Sequence, residues 1–271
     1  MNNKPKALIL RTAGTNCDME TQAAFELAGA HVDRVHVNQL IRKEVKISDY
    51  HILAFPGGFS YGDDIASGKI LANEVKNKLG GDIKAFAESG KPIIGICNGF
   101  QILVKMGLLP DEKIFLQTTT LTYNDSDKFE SRWIYLKAEG SGKKEVGRKT
   151  NCIWTMGLPE VIPLPIAHGE GKFIAKDDKT LQFLEKHHQV VFRYSDANGK
   201  AGDYPVNPNG STNDIAGICN QKGNILGLMP HPERYIYKWQ HPGHVGQDKK
   251  SEFGWGLQLF INAVNAVKHS G

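Results

Sequence analysis

The segment Gly95-Ile96-Cys97-Asn98-Gly99 sets a cysteine between glycines two residues to either side, directly after the apolar run 92–96. Such spacing suits a sharp strand-to-helix elbow. The glycines admit the turn, and the side chain between them projects above the carboxyl edge of a sheet. A thiol there meets the positive end of a helix dipole, which favours the thiolate that attacks carbonyl carbon. Alone, the motif fits a buried structural cysteine equally well, because free cysteine is among the most buried residue types. A cysteine nucleophile needs a base. Of the ten histidines, His231 stands out in Pro230-His231-Pro232-Glu233-Arg234, right after the apolar run 224–229. The prolines predict an extended segment in which side chains 231 and 233 point the same way, so that Glu233 orients and charge-stabilises the imidazole. By itself this peptide also reads as a loop with a surface ion pair. Paired with the elbow, each at the carboxyl end of a strand, the catalytic reading prevails. Backbone N–H groups of Gly57 or Gly58, after the run 51–55, and that of Asn98 supply the donors an oxyanion requires.

The elements that must position these groups alternate as a parallel α/β sheet demands. Residues 7–11, 31–37, 51–55 and 92–96 read as strands, and 98–106 has helical periodicity. Helices are predicted over 18–30, with Gly29 as its stop, and from about 64 to 78. The second half is different in kind, with short β-branched runs at 118–123 and 132–137, a last strand at 224–229 and a terminal helix at 252–268. Residues 140–149 and 197–214 read as solvated loop. No repeat and no linker divides the chain, so residues 1–271 read as one domain.

Composition narrows the function. The 271 residues carry 33 Lys+Arg against 29 Asp+Glu, a net charge of +4, which lacks the electrostatic footprint of a dominant nucleic-acid-binding role. The N-terminal apolar run is too short for a signal-peptide core or a membrane span, so a cytoplasmic location is expected. Cys17, Cys97, Cys152 and Cys219 lie far apart, which predicts neither a disulfide framework nor a structural zinc site. Cys152 and Cys219 read as core and Cys17 as packing. The adjacent His187 and His188 cannot share one face, which favours a solvated loop over a metal site. Glycine, at 29 residues, exceeds the average share of about 7%, and the excess falls at 57, 58, 95, 99, 169 and 171.

The ordered set Pro56-Gly57-Gly58, Gly95 to Gln101 and His231-x-Glu233 resembles the signature of triad (class I) glutamine amidotransferases. More narrowly, residues 11–18, 56–63, 95–103, 124–126 with 129–130 and 132–133, 167–173 and 230–234 resemble the glutaminase subunit of phosphoribosylformylglycinamidine synthase. The resemblance implies an open, mostly parallel sheet flanked by helices, flavodoxin-like, with extra β hairpins and loops. It further implies that Cys97 attacks the carboxamide of L-glutamine, that His231 protonates the departing ammonia, and that a glutamyl thioester is hydrolysed to glutamate. Gln101 matches the family's glutamine contact, and Gly58 and Phe129 are further substrate-binding candidates. The implied partners are a large synthetase subunit, which holds ATP and Mg, and a small accessory subunit. No metal or cofactor is expected on this chain, which has no G-x-x-x-x-G-K-[ST] motif.

Two alternatives share parts of this pattern. One is another cysteine hydrolase on the same scaffold, such as a γ-glutamyl hydrolase or a DJ-1-like protein, against which the His231/Glu233 pair and the wording of 100–101 and 167–173 argue. The other is a non-enzymatic subunit, which an intact Cys97/His231/Glu233 set makes improbable. His168 and Glu170 fit a polar turn as readily as a role at the site. Residues 140–149 and 236–250, the latter with Trp239, His241, Pro242 and His244, read as surface additions that bear on partner docking.

Overall fold

The computed structural model describes residues 4–63, 65–110, 116–140, 152–244 and 251–268. The chain opens with β1 (Lys6–Arg11), α1 (Asp18–Leu27), β2 (His31–His36), the short α2 (Val37–Ile41), β3 (Ile52–Phe55), α3 (Lys69–Glu88), β4 (Ile93–Ile96) and α4 (Asn98–Met106). It continues through β5 (Thr119–Thr122), β6 (Glu130–Ala138), β7 (Val161–His168), β8 (Lys172–Ala175), α5 (Asp178–Lys186), β9 (Val190–Ser195), β10 (Ile215–Cys219), β11 (Ile225–Leu228) and α6 (Trp255–Lys268). A nine-stranded sheet has the order β2-β1-β3-β4-β11-β10-β9-β6-β7, and β5 pairs with β8 separately.

Strands β2, β1, β3, β4 and β11 run parallel, as the α/β alternation requires. From β11 outward through β10, β9, β6 and β7 every pairing is antiparallel. The expected open sheet with added β structure is therefore present; β10, β9, β6 and β7 extend the same sheet, and β5 with β8 forms a separate pair. The central strands β3 and β4 are buried along their whole length, which explains their continuous apolar reading. Helix α1 packs on α6 through an edge-on Phe25–Phe260 contact, with ring centroids 4.8 Å apart. Among the described residues no helix is long and apolar enough to cross a membrane.

The helix predicted over 64–78 instead spans Lys69–Glu88. Its start is delayed because Tyr61, Gly62, Asp63 and Gly68 all take positive φ, which a right-handed helix cannot hold. Its end is extended because Leu79, Ile83 and Phe86 continue a buried stripe through Gly80 and Gly81. That burial outweighs the roughly 1 kcal/mol that each glycine costs a helix. Residues 141–149 of the predicted basic loop lie outside the described residues. In the segment 236–250, Ile236 is buried, His241 packs edge-on against Trp133 at 4.5 Å, and Trp239 is exposed; residues 245–250 lie outside the described set.

One glycine ties two of these elements together. A Cβ on Gly99 would run into the backbone carbonyl of Phe55, so the first turn of α4 lies against the end of β3, backbone to backbone. Both sides are rigid, and overpacked sites of this kind cost about 1–3 kcal/mol or more. Gly99→Ala is accordingly expected to lower the thermal midpoint by about 5 °C or more, measured by circular dichroism. A midpoint unchanged from wild type would mean that this contact is not close in solution.

Candidate active site

Cys97 sits between β4 and α4 with φ 51° and ψ −107°. Positive φ at a non-glycine residue is strained backbone, the kind of feature that persists only where its surroundings fix it. Here the Cys97 N–H donates to the Leu228 carbonyl at 2.8 Å, next to the Ile96–Leu228 pair of the β4–β11 ladder. The side chain is buried, and its sulfur lies 3.7 Å from the Ala167 carbonyl oxygen at the end of β7.

His231 follows β11, so its strand is the hydrogen-bonded neighbour of the one that carries Cys97. Its N–H donates to the Pro165 carbonyl at 2.8 Å. Its Nδ1 lies 2.7 Å from Glu233 Oε1, with both side chains buried. The predicted partnership is there, but its expected cause is not. Pro232–Arg234 forms a tight helical turn instead of an extended segment, and the turn brings 233 back beneath 231. Proline at the first turn position has no N–H to leave unpaired, which favours that turn.

The electrostatics follow from burial and charge. Burial alone would push the His231 proton off, yet the Glu233 carboxylate, with Cys97 and Cys17 nearby, raises its pKa well above the ordinary 6.5. The sign of the stability effect is then fixed. A histidine whose pKa is raised by folding contributes stability that is full below about pH 6.5 and is lost as pH rises through the folded-state value. Thermal midpoints should therefore fall across the alkaline side of neutrality, and a Glu233→Gln variant should show a flatter profile there. A wild-type midpoint independent of pH above 7 would contradict the assignment.

The loop after β3 comes up against this pair. A Cβ on Gly57 would stand 2.9 Å from His231 Cε1 and 3.2 Å from Cys17 Sγ. Two bonds anchor the loop, Cys17 N to the Gly57 carbonyl at 3.2 Å and Phe59 N to the Gly14 carbonyl at 2.8 Å. Neither uses the N–H of Gly57 or Gly58. Asn98 is the first residue of α4, where helix N–H groups have no partner within the helix. Its side chain is committed elsewhere, accepting from the Ser60 hydroxyl at 2.6 Å and donating to Asp63 Oδ1 at 3.2 Å and Gln101 Oε1 at 2.9 Å.

A cavity of about 310 Å³ joins these parts and is lined by Gly58, Cys97, Gln101, Phe129, His168, Glu170 and His231, among others. Gln101 lies on its wall, with Nε2 donating to the Glu170 carbonyl at 2.6 Å. Phe129 is 53% exposed and tilts against Phe59, with ring centroids 6.3 Å apart, so it stands at the rim. Of the residues predicted from the sequence, Gly58, Cys97, Gln101, Phe129 and His231 line this cavity, Glu233 stands against His231 outside the lining, and Gly57 and Asn98 adjoin lining residues in the chain.

Several neighbours were not foreseen as part of the site. Cys17, read as packing, lines the cavity, and its sulfur accepts from Arg234 Nη2 at 3.2 Å. Potential ligand atoms of Cys17, His231 and Glu233 all lie within 4.8 Å of one another. Burial pushes the Cys17 thiol pKa up, while the hydrogen bond with His231 lowers it. Its separation from His231 in the chain gave no local signal. The segment 197–214, read as solvated, contributes buried Asn209 and Ser211. Asn209 Nδ2 donates to the Gly171 carbonyl at 2.9 Å, and the Ser211 hydroxyl accepts from Phe173 N at 2.9 Å. Polar composition alone cannot distinguish a residue that faces water from one that satisfies a buried peptide. Asn124 does the same for the 168–171 turn, donating to the His168 carbonyl at 2.9 Å and accepting from Gly171 N at 3.0 Å.

The arrangement offers a buried thiol and an imidazole held charged by a carboxylate, with the thiol and the imidazole on one cavity, which suits acyl transfer from an amide. Comparison with known proteins agrees. Residues 4–267 match the family model described as a CobB/CobQ-like glutamine amidotransferase domain. The chain is 48% identical over 263 residues to the phosphoribosylformylglycinamidine synthase subunit PurQ of Dehalococcoides mccartyi, covering 97% of each. It is 46% identical over 273 residues to the subunit of that name from Methanococcus maripaludis, covering 96% of each. In the solved structure of PurLQS from Thermotoga maritima, a chain that is 33% identical superposes with a TM-score of 0.72, covering 97% of this chain and 99% of that one. The chain belongs to the CobB/CobQ-like glutamine amidotransferase family.

Proposed function

We propose that this chain is a glutaminase that hydrolyses L-glutamine through Cys97, His231 and Glu233, and that it is the amidotransferase subunit of a phosphoribosylformylglycinamidine synthase. The observation that carries the reading is the placement of Cys97 on a strained elbow beside an imidazole whose Nδ1 is 2.7 Å from a buried carboxylate. The relatives at 46–48% identity bear the name of that synthase subunit, which favours it over a γ-glutamyl hydrolase. The chain acts as one domain, in the cytoplasm. Its product ammonia goes to a large synthetase subunit, which supplies the ATP and Mg chemistry, in a complex with a small accessory subunit.

The mechanism follows from the site. With Nδ1–H donated to Glu233, the Nε2 of His231 is the atom left to exchange protons, and it is buried in a site that also holds the Cys97 and Cys17 thiols. Cys97 Sγ adds to the side-chain carbonyl carbon of glutamine, and the oxygen takes up negative charge. Backbone N–H groups of Gly57 or Gly58 and of Asn98 receive it; one such donor is worth on the order of 10²–10³ in rate. Nε2 gives its proton to the amide nitrogen, the C–N bond breaks, ammonia leaves and a γ-glutamyl thioester remains. Water then loses a proton to Nε2 as its oxygen attacks the thioester. The C–S bond breaks, glutamate departs, and the sulfur and imidazole return to their starting state.

The test is glutamate release from L-glutamine by the purified chain, alone and with its synthetase. Release in the complex, and labelling of Cys97 by a glutamine-analogue alkylating agent, are expected. No release in the complex, or labelling confined to Cys17, Cys152 or Cys219, would overturn the proposal.

A further inference from the structure

We infer that Cys17, Cys97 and His231 form a three-ligand site for a thiophilic divalent cation of the Zn²⁺ class, and that the bound cation stops glutamine hydrolysis. It acts as an inhibitor, not as a cofactor. The binding rests on the geometry alone, whereas the inhibition rests also on the glutaminase reading.

Sulfur and imidazole nitrogen are the donors that select Zn²⁺-like ions. All three side chains are buried and line one cavity. Ligand atoms of Cys17, His231 and Glu233 lie within 4.8 Å of one another, and both sulfurs come within hydrogen-bonding reach of the imidazole. Glu233 does not ligate together with Nδ1. Two donors each about 2.0–2.1 Å from a tetrahedral ion stand about 3.3 Å apart, and Nδ1 and Oε1 are only 2.7 Å apart. The carboxylate instead holds the Nδ1 proton, which leaves Nε2 as the ligand nitrogen. A carboxylate behind the imidazole is the usual outer support of a zinc-bound histidine.

The three ligands come from separate parts of the chain, and each is fixed by its own main chain. Cys17 N donates to the Gly57 carbonyl at 3.2 Å, Cys97 N to the Leu228 carbonyl at 2.8 Å and His231 N to the Pro165 carbonyl at 2.8 Å. Cys17 has no task in the hydrolysis. Its sulfur nevertheless accepts from Arg234 Nη2 at 3.2 Å, and the residue caps the start of α1; both features favour a thiolate against the cost of burial. Charge balances as well. Two thiolates cancel the cation, and Arg234 cancels Glu233. On binding, each thiol and Nε2 gives its proton to water, and the cation takes the place of those protons. Three protein ligands leave a fourth position for water. The occupied site has neither a free nucleophile nor a free acid. Mg²⁺, which takes oxygen ligands, does not compete for it.

The experiment titrates the purified full-length chain with Co²⁺, whose thiolate-to-metal absorption reports the sulfurs bound, and titrates the synthetase complex with Zn²⁺ while following glutamate release. Wild type should bind one equivalent of Co²⁺ with the band of two thiolates, and Cys17→Ser and Cys97→Ser should each show a weaker band. Outer partners of a metal site are worth about 10- to 100-fold in affinity, and a direct ligand at least as much, so Zn²⁺ inhibition of Cys17→Ser, scaled to that variant's own zinc-free rate, should need about 100-fold more cation. Alkylating Cys97 of the wild type with a glutamine analogue should weaken the Co²⁺ band too, a check that requires no variant to fold. The inference is overturned, and the glutaminase reading left intact, by the absence of a band, by a band unchanged in either variant or after alkylation, or by equal inhibition of wild type and Cys17→Ser. A Co²⁺ band in a chain whose zinc-free complex hydrolyses no glutamine overturns that reading and the inhibition with it, while the cation site stands.

Discussion

Replacing Cys97 with serine is expected to lower glutamine hydrolysis by roughly 10⁴- to 10⁶-fold, the range seen when a nucleophile is removed from a triad. The fold should barely register the change. The elbow is held by main-chain contacts, the Cys97 N–H to Leu228 and the Gly99 backbone against Phe55, and serine keeps the first and leaves the second untouched. A hydroxyl is also smaller than a thiol and introduces no clash. The chemistry, by contrast, loses its basis. A serine hydroxyl retains its proton at neutral pH and must surrender it during attack, at a site whose imidazole is already held in the charged form by Glu233. Single-turnover release of glutamate, with the thermal midpoint as a control, reads both effects. Activity within tenfold of wild type would remove Cys97 from the mechanism.

Glu233→Gln carries the second-largest expected effect, a fall of roughly 10³- to 10⁴-fold in kcat, by analogy with loss of the carboxylate in a Ser-His-Asp triad. Glutamine at 233 can still accept from His231 Nδ1 through its amide oxygen. It cannot balance the charge. Burial then acts on His231 without its main opponent, the imidazole loses its proton, and the leaving ammonia has no acid to receive a proton from. The pH profile distinguishes this from a packing defect. Activity of the variant should recover toward acid pH, where the imidazole regains its proton, whereas a collapsed site stays inactive at every pH.

The two variants probe residues that were legible in the sequence, and the reason is local. Gly95, Cys97 and Gly99 lie on one five-residue elbow, and His231 and Glu233 on one turn, so spacing along the chain reports spacing in space. Strands β1 to β4 were legible for a similar reason, being short apolar runs separated by helical periodicity. Long-range packing was not. Strand β7 carries Pro163 and Pro165, which argue against a strand unless it lies at a sheet edge, and its edge position depends on pairing with β6. Helix α5 has only a local signal in the sequence, Asp177 capping it by accepting from Thr180 N at 2.8 Å, and just one of its residues, Leu184, is buried. Strands β9 and β10 are buried between other strands and lack the alternation that marks a half-exposed one. Cys17 reaches the site because Arg234 and Gly57 close around it, and nothing near residue 17 in the chain encodes that.

The pairing of β4 with β11 gives the site a built-in ruler. The nucleophile and the base leave the ends of adjacent strands, which in any sheet lie about 4.8 Å apart, so their separation is metered by backbone hydrogen bonds and not by the loops that surround the cavity. Substitutions, insertions and new contacts can accumulate in those loops over generations, altering what the cavity admits and which subunit it meets, while the reacting pair keeps its spacing. The chemistry is inherited with the sheet, and the loops are left free to diversify.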